Sequence, residues 1–520
     1  MIRTAALSAL ALAFGAGAGA QDSDFDARRA DWRTGAVTYQ IFVDRFAPSR
    51  RLEEKAEHYA PPRSLQDWSA QPAQGEPAPG TGVWTHELAF WGGDLESVAG
   101  RAGYLRDLGV DVIYLNPIHL APTNHKYDAV DLTRISPEYG DEDDLRRLAD
   151  TLHDRGMRLV LDGVFNHVGS RSTWFLDAQA SEDSPYRDWF HFDETVQNGY
   201  VGWWGVRNLP ELNWNNPEVR DAIVNDSASV VRKWFEYGID GWRLDVATEL
   251  GVDNLRLITS ASHQESPGSL VIGEVWSYPA EWGEALDAVM NFPLRALMFA
   301  YVDGEIGPDQ FGGALDHMID DAGIEPLLRS WVLLDNHDTP RLATLYPNTD
   351  ERALLQMLQF TLPGAPLVYY GVEAGLEGGQ DPGGRGPMDW EAAQAGQPEF
   401  DRLARLIALR EASPALRVGD FIPLAASESF AFMRLTDRSA ETVVVIVNAG
   451  EAAVEERVML RDWRIMSGER WVDALTGARF DSNSALLSAT VPPRSALILR
   501  PERWAEHTER TGHSPYRHIP

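Results

Sequence analysis

The sequence predicts an α/β fold: a (β/α)8 TIM barrel with an inserted subdomain after the third strand and a C-terminal all-β domain. Three observations carry this. From Val37 onward, eight short apolar runs alternate with longer amphipathic ones, which is the arithmetic of a (β/α)8 barrel. The alternation stops across residues 168–216, where Trp, Tyr, Asp and Asn gather with little periodicity. About fifty such residues exceed an ordinary loop and predict a small subdomain. Past Arg417 the texture turns to two-residue alternation, as in 431–434, 442–447 and 495–499, which reads as β structure. A doubly wound sheet is the structural alternative.

In chain order, the N-terminus comes first. Arg3, an apolar run over 5–14 and Ala18-Gly19-Ala20 form a signal-peptide layout, with export to the periplasm or medium expected after cleavage near Ala20. The run is too short for a permanent membrane anchor. Strand candidates follow at 37–42, 111–115 and 158–164, with helices over 94–108 and 142–155. A loop rich in Pro, Glu and Gln covers 47–87. The subdomain, 168–216, separates the barrel parts 21–167 and 217–415. Helix resumes at Pro217, a favourable first-turn residue, and a helical run over 222–237 ends at Gly238. Further strands are expected within 238–250 and at 270–274, 288–291, 331–334 and 366–370, with a helix over 399–411. The β domain takes 416–500, and a polar tail 501–520.

Bulk composition narrows the function classes. The chain is 44% hydrophobic and 24% charged, as a globular protein is. A net charge of −32 makes nucleic acid and anionic membranes poor partners. There is no cysteine, hence no disulfide scaffold or thiolate metal site.

In a (β/α)8 barrel the reacting groups sit at the C-terminal strand ends. Those ends carry Asp162, Asn166 and His167 on strand three, Arg243 and Asp245 on strand four, and Glu274 on strand five. Strand seven runs into Asp335-Asn336-His337-Asp338, and Tyr127 and Asp128 follow strand two. Arg243 and Asp245 are two apart, so an extended segment points both to one face. Alone, that pair reads equally well as a structural ion pair. On neighbouring strands about 4.8 Å apart, however, Asp245 and Glu274 suit glycosidic cleavage with retention, which needs carboxyls about 5–5.5 Å apart. Asp245 would attack the anomeric carbon with Arg243 holding its charge, and Glu274 would serve as acid and then base. Asp338 would stabilise the oxocarbenium-like charge, and neutral His167 and His337 would bind sugar hydroxyls. This chemistry calls for no cofactor.

The segments Asp162-Gly-Val-Phe-Asn-His167, Gly241-Trp-Arg-Leu-Asp245, Gly273-Glu-Val-Trp276 and Leu334-Asp-Asn-His-Asp338 resemble the four signature regions of glycoside hydrolase family 13, the α-amylase family. Asn124-His-Lys-Tyr-Asp128, Phe90-Trp-Gly-Gly-Asp-Leu95, Leu209-Pro-Glu-Leu-Asn213, Gln380-Asp-Pro382 and Arg385-Gly-Pro-Met-Asp-Trp390 extend the likeness over 37–499. The resemblance implies Asp245 as nucleophile, Glu274 as acid/base and Asp338 as transition-state stabiliser. It also implies a substrate site of Tyr127, Asp128, His167, Arg243, His337 and Arg385, with Asp162 as a structural brace. The flavour is that of the neopullulanase and cyclomaltodextrinase branch. Thr248-Glu249 stand where endo-acting α-amylases often have Lys-His. Two departures stand out. The barrel begins about twenty residues after the leader, without the branch's N-terminal β domain. Ala47-Pro-Ser-Arg-Arg51 replaces its calcium loop, leaving Gly92 and Asp94 as remnants, which speaks against a structural calcium.

Trp174, Trp189, Trp203, Trp204 and Trp214 all fall in the insertion. Most are expected in its core, but adjacent Trp203 and Trp204 cannot easily both face inward, so one is expected to stack on a sugar. The acidic run Asp141 to Asp144 reads as a helix first turn. The leading expectation is therefore a retaining hydrolase of α-1,4-linked glucans, with α-1,6 links and cyclodextrins as further candidates. A transglycosylase using the same intermediate stays open. A non-catalytic carbohydrate-binding protein is the rival of another class, and the presence of all three carboxylates argues against it.

Overall fold

A computed structural model describes residues 18–465 and 470–502. The leader expected over 1–20 lies outside these residues up to position 17, as does the tail from 503 onward.

Eight strands close into a parallel barrel: β1 (Thr38–Ile41), β2 (Val112–Leu115), β3 (Arg158–Gly163), β4 (Gly241–Leu244), β5 (Leu270–Val275), β6 (Ala288–Asn291), β7 (Trp331–Leu333) and β8 (Ala365–Tyr369). Each pairs with its sequence neighbours, and β1 closes the ring by pairing with both β2 and β8. Away from their C-terminal ends the strands are largely apolar because both faces are covered, as parallel sheets require. Tyr114, Met290, Trp331, Leu333 and Leu367 pack inside the barrel, while Leu115, Leu161, Leu244 and Val271 join the core shared with the helices. Register then places the chemistry. Asp162 is level with Arg243, and Leu244 is level with Gly273. The next residues, Asp245 and Glu274, therefore leave the barrel side by side.

Two expected helices are broken. The stretch 94–108 is Leu95–Ala99 followed by Ala102–Leu108. The stretch 222–237 divides into a π-type turn, Asp221–Asn225, then Val230–Lys233 and a 3₁₀ turn, Trp234–Tyr237. Local hydrogen bonds cause the second break. The Asp226 N–H bonds the carbonyl of Asp221, five residues back, and Ser229 Oγ takes the carbonyl of Val224 at 2.9 Å. The backbone bond from Asp226 is the π-type closure, and the serine hydroxyl competes with the helical ladder for a carbonyl.

The insertion after β3 forms a small subdomain with one helix, Thr173–Ala180, and bridges joining His167 to Glu211 and Phe190 to Leu212. Its core is aromatic, with Phe175 4.7 Å from Tyr200 and 5.0 Å from Phe190. The C-terminal domain is an eight-stranded antiparallel sheet running from Asp420–Leu424 to Ser495–Pro501. Phe430, Phe432, Val445 and Val447 of that sheet share one buried cluster with Met298, Phe311, Leu354 and Leu355 of the barrel helices. Among the described residues no helix is long and apolar enough to cross a membrane.

Candidate active site

The C-terminal rim is organised by Arg243, which is fully buried. Its Nη1 donates to Asp162 Oδ1 at 2.8 Å and Asp245 Oδ1 at 2.9 Å, and its Nη2 lies 3.0 Å from Glu274 Oε2. One guanidinium thus contacts three carboxylates, the planar fork geometry for which arginine is suited. Asp245 is 7% exposed. Burial, with Glu274, Asp162 and Asp338 nearby, pushes its carboxyl well above the usual range, and Arg243 opposes the rise.

The chain turns sharply after Asp245. Val246 adopts a left-handed φ of 41°, which is costly for a β-branched residue. The turn aims its N–H at Glu274 Oε2, 3.0 Å away. Trp276 Nε1 donates to the other oxygen, Oε1, at 3.1 Å, and its ring stacks on Phe292. Glu274 is thereby fixed at both oxygens.

A second network faces this one. Gln40 Nε2 lies 2.9 Å from His337 Nδ1 and donates to Asn116 Oδ1, while Asn116 Nδ2 donates to Tyr127 Oη at 3.0 Å. With Nδ1 accepting from Gln40, the proton of His337 sits on Nε2, which faces Tyr127 Oη at 2.5 Å and Asp338 Oδ2 at 3.2 Å. Tyr127 in turn donates to Asp162 at 2.9 Å. Burial, helped by Arg385 and Arg243, holds His337 neutral. Burial also lowers His167, to about 4, so both rings meet a ligand uncharged. Arg385 donates to the His337 carbonyl at 2.9 Å and to Asp338 Oδ1 at 3.3 Å, and pairs with Asp381 at 2.9 Å.

The rim therefore gathers Asp245, Glu274, Asp338, Tyr127, His167, Arg243, His337 and Arg385. Asp128 differs. It is fully buried, accepting from Thr123 and from Asn208 Nδ2 at 3.0 Å. It ties the loop after β2 to the subdomain and so braces the loop that carries Tyr127. Gln40, Tyr114 and Asn116 were missed. The detectable signal was a polar side chain near the C-terminal end of an otherwise apolar strand.

The aromatics of the insertion divide. Trp189 and Trp214 are buried, and Trp174 packs 5.0 Å from Trp189. Trp203 is half-buried and stacks on His167, whereas Trp204 is 82% exposed. The 47–87 stretch is tied to neighbouring loops, with Trp68 Nε1 donating to the Met388 carbonyl and Asn124 Nδ2 donating to the His86 carbonyl.

The two residues expected as remnants of a calcium loop are already engaged. Asp94 holds the ammonium of buried Lys55 at 2.6 Å and caps Ser97 N at 2.7 Å. The Gly92 carbonyl already accepts from Ser49 N at 2.9 Å. A second positive charge there would meet the first.

The family model for the alpha amylase catalytic domain matches residues 40–412. A cyclomaltodextrinase of Geobacillus thermopakistaniensis (strain MAS1) is 34% identical over 487 residues, covering 91% of this chain and 78% of that protein. Neopullulanase 2 of Thermoactinomyces vulgaris is 34% identical over 491 residues, covering 90% and 78%. Among solved structures, the ligand-free cyclic alpha-maltosyl-(1→6)-maltose hydrolase of Arthrobacter globiformis superposes with a TM-score of 0.75 at 29% identity, covering 91% of this chain and 99% of that one.

Proposed function

The chain belongs to the α-amylase family of glycoside hydrolases, and we propose that it cleaves short or cyclic α-1,4-glucans with retention. One observation carries the proposal: a single buried guanidinium, Arg243, contacts both Asp245 and Glu274 at adjacent strand ends. Asp245 attacks the anomeric carbon while Glu274 gives its proton to the departing glycosidic oxygen, so the C1–O bond breaks as an ester to Asp245 forms. Water then attacks the same carbon, Glu274 takes its proton back, and the ester bond breaks. Arg243 keeps the nucleophile's charge available for the first step. Asp338, braced by Arg385, and neutral His337, His167 and Tyr127 hold the glucosyl unit's hydroxyls while positive charge develops.

The relatives' names indicate cyclodextrins, pullulan and branched maltosyl rings, and Thr248-Glu249 in place of Lys-His supports the same preference. The test is a product time course with soluble starch, pullulan, cyclodextrins and maltotriose supplied separately. Cyclodextrin or pullulan should be consumed faster than starch. Products longer than the substrate would instead indicate glucanotransfer, and preferential attack on starch would overturn the substrate assignment.

A further inference from the structure

We propose that Gln40 and Asn116 are positioning residues: they fix the tautomer of His337 and so keep Asp338 supplied with hydrogen-bond donors, an inference that rests on the hydrolytic reading above. Gln40 lies on β1 and Asn116 directly follows β2, and both are buried. Two buried amides could do no more than satisfy each other. The direction in which their hydrogens run points further.

Direction enters at Asp162. Its Oδ1 accepts from Arg243, and its Oδ2 accepts from the hydroxyls of Tyr114 at 2.6 Å and Tyr127 at 2.9 Å. A carboxylate beside a guanidinium only accepts. Burial, with Asp162 adding to it, raises both phenols well above their ordinary value, so both keep their protons. Tyr127 therefore gives its single hydrogen to Asp162, and its oxygen is left to accept. Asn116 must then present Nδ2 to it, 3.0 Å away, and turn Oδ1 toward Gln40. Of the two hydrogens on Gln40 Nε2, one goes to Asn116 Oδ1 at 3.0 Å and the other to His337 Nδ1 at 2.9 Å. Gln40 Oε1 has no partner among the described residues, so the amide acts here as a donor alone. His337 is neutral and carries one proton, which is left to Nε2. That nitrogen faces Tyr127 Oη at 2.5 Å. The circuit closes there: Tyr127 gives one hydrogen and accepts two, and no member can reverse by itself.

The polarity matters at Asp338. Its Oδ2 lies 3.2 Å from His337 Nε2, and its Oδ1 accepts from Arg385 at 3.3 Å. With the proton on Nε2, a donor faces each oxygen, which holds the carboxylate charged and in place where positive charge develops. With the proton on Nδ1 instead, a nitrogen lone pair would face both that carboxylate and the Tyr127 oxygen. The ring has the same shape in either form, so packing does not choose between them. The hydrogens of Gln40 and Asn116 do.

The experiment reads the ring nitrogens of His337 by NMR of the full-length, histidine-labelled enzyme, with His337→Gln identifying its signals among those of the 13 histidines. The wild type should show Nδ1 bare and Nε2 protonated. In Gln40→Glu the side chain can only accept, so a proton should appear on Nδ1. Its kcat on maltotriose in mildly alkaline buffer should fall at least about tenfold with KM little changed, the scale of a displaced transition-state contact. Gln40→Met imposes no acceptor and should keep the wild-type tautomer, with a smaller fall in kcat. A merely structural role predicts the reverse order, because Met makes none of the hydrogen bonds. A wild-type ring protonated on Nδ1, His337 signals unmoved in Gln40→Glu, or a kcat loss in Gln40→Met as large as in Gln40→Glu would each overturn the proposal. A wild type with the expected ring signals but no activity on any α-glucan would instead overturn the functional reading beneath it.

Discussion

Asp245 stands between opposing demands. Attack on carbon needs its charge, which Arg243 favours, while burial beside Glu274, Asp162 and Asp338 favours the proton. A carboxyl raised in the fold binds a proton that the unfolded chain releases. Its contribution to stability is therefore present below the unfolded value of about 3.9 and is lost as pH rises through the elevated folded one. At neutral pH the charged nucleophile costs the protein stability. Asp245→Asn should consequently melt above the wild type at pH 7, with the gap closing toward pH 4, while activity falls at least about a thousandfold. Arg243 is not orphaned by the change, because it keeps Asp162 at 2.8 Å and Glu274 at 3.0 Å. A variant melting below the wild type at pH 7 would mean that the attraction outweighs the burial. The nucleophile and its arginine were legible because two-residue spacing at a strand end is a pattern. Gln40 and Tyr114 carried a weaker signal, since a lone polar residue near a strand end has no second residue at a set spacing to support it.

The entrance to helix Leu95–Ala99 is built on a buried ion pair. Asp94 accepts from Ser97 N as a helix cap and pairs with Lys55 Nζ at 2.6 Å, while Lys55 also donates to the Glu138 carbonyl at 3.1 Å. Lys55 and Asp94 are 8% and 1% exposed, so neither charge has water to fall back on. We propose that this ammonium anchors the region without a metal. Chelation by EDTA should leave the wild-type melting temperature unchanged. Lys55→Met, which strands the carboxylate, should cost about 3 kcal/mol in denaturant unfolding, and added calcium should recover part of it. A wild type destabilised by EDTA would refute this. The sequence announced the remnant residues but not the lysine, which lies 39 positions upstream in an aperiodic loop. The same limit applies to 222–237. Its apolar spacing announced a helix, while the Ser229 hydroxyl acts at the break through a hydrogen bond to the Val224 carbonyl that periodicity does not register.

At the scale of the whole molecule, the C-terminal sheet is part of the barrel's support. Phe430 is 4% exposed, packing edge-on to Phe311 at 4.8 Å and 5.2 Å from Phe432. Phe311 belongs to helix Pro308–Ala322 and stacks 4.9 Å from Tyr301, whose hydroxyl donates to the Val447 carbonyl at 3.0 Å. Tyr301 lies on helix Phe292–Val302, and Arg295 of that helix donates to the Leu334 carbonyl at 2.7 Å. Leu334 leads straight into Asp335-Asn336-His337-Asp338. A continuous path of contacts thus joins the sheet's buried face to the loop that presents Asp338. The two-residue alternation past Arg417 revealed the sheet, but alternation cannot say which barrel helices receive its apolar face. If the sheet were an appendage, Phe430→Ala would cost little and the barrel would melt as before. Because the cluster is shared, the change should remove about 3–5 kcal/mol. Scanning calorimetry should convert a single wild-type transition into two, with heat inactivation moving to the lower one. A variant that keeps one transition at the wild-type temperature would show that the barrel holds its active rim alone.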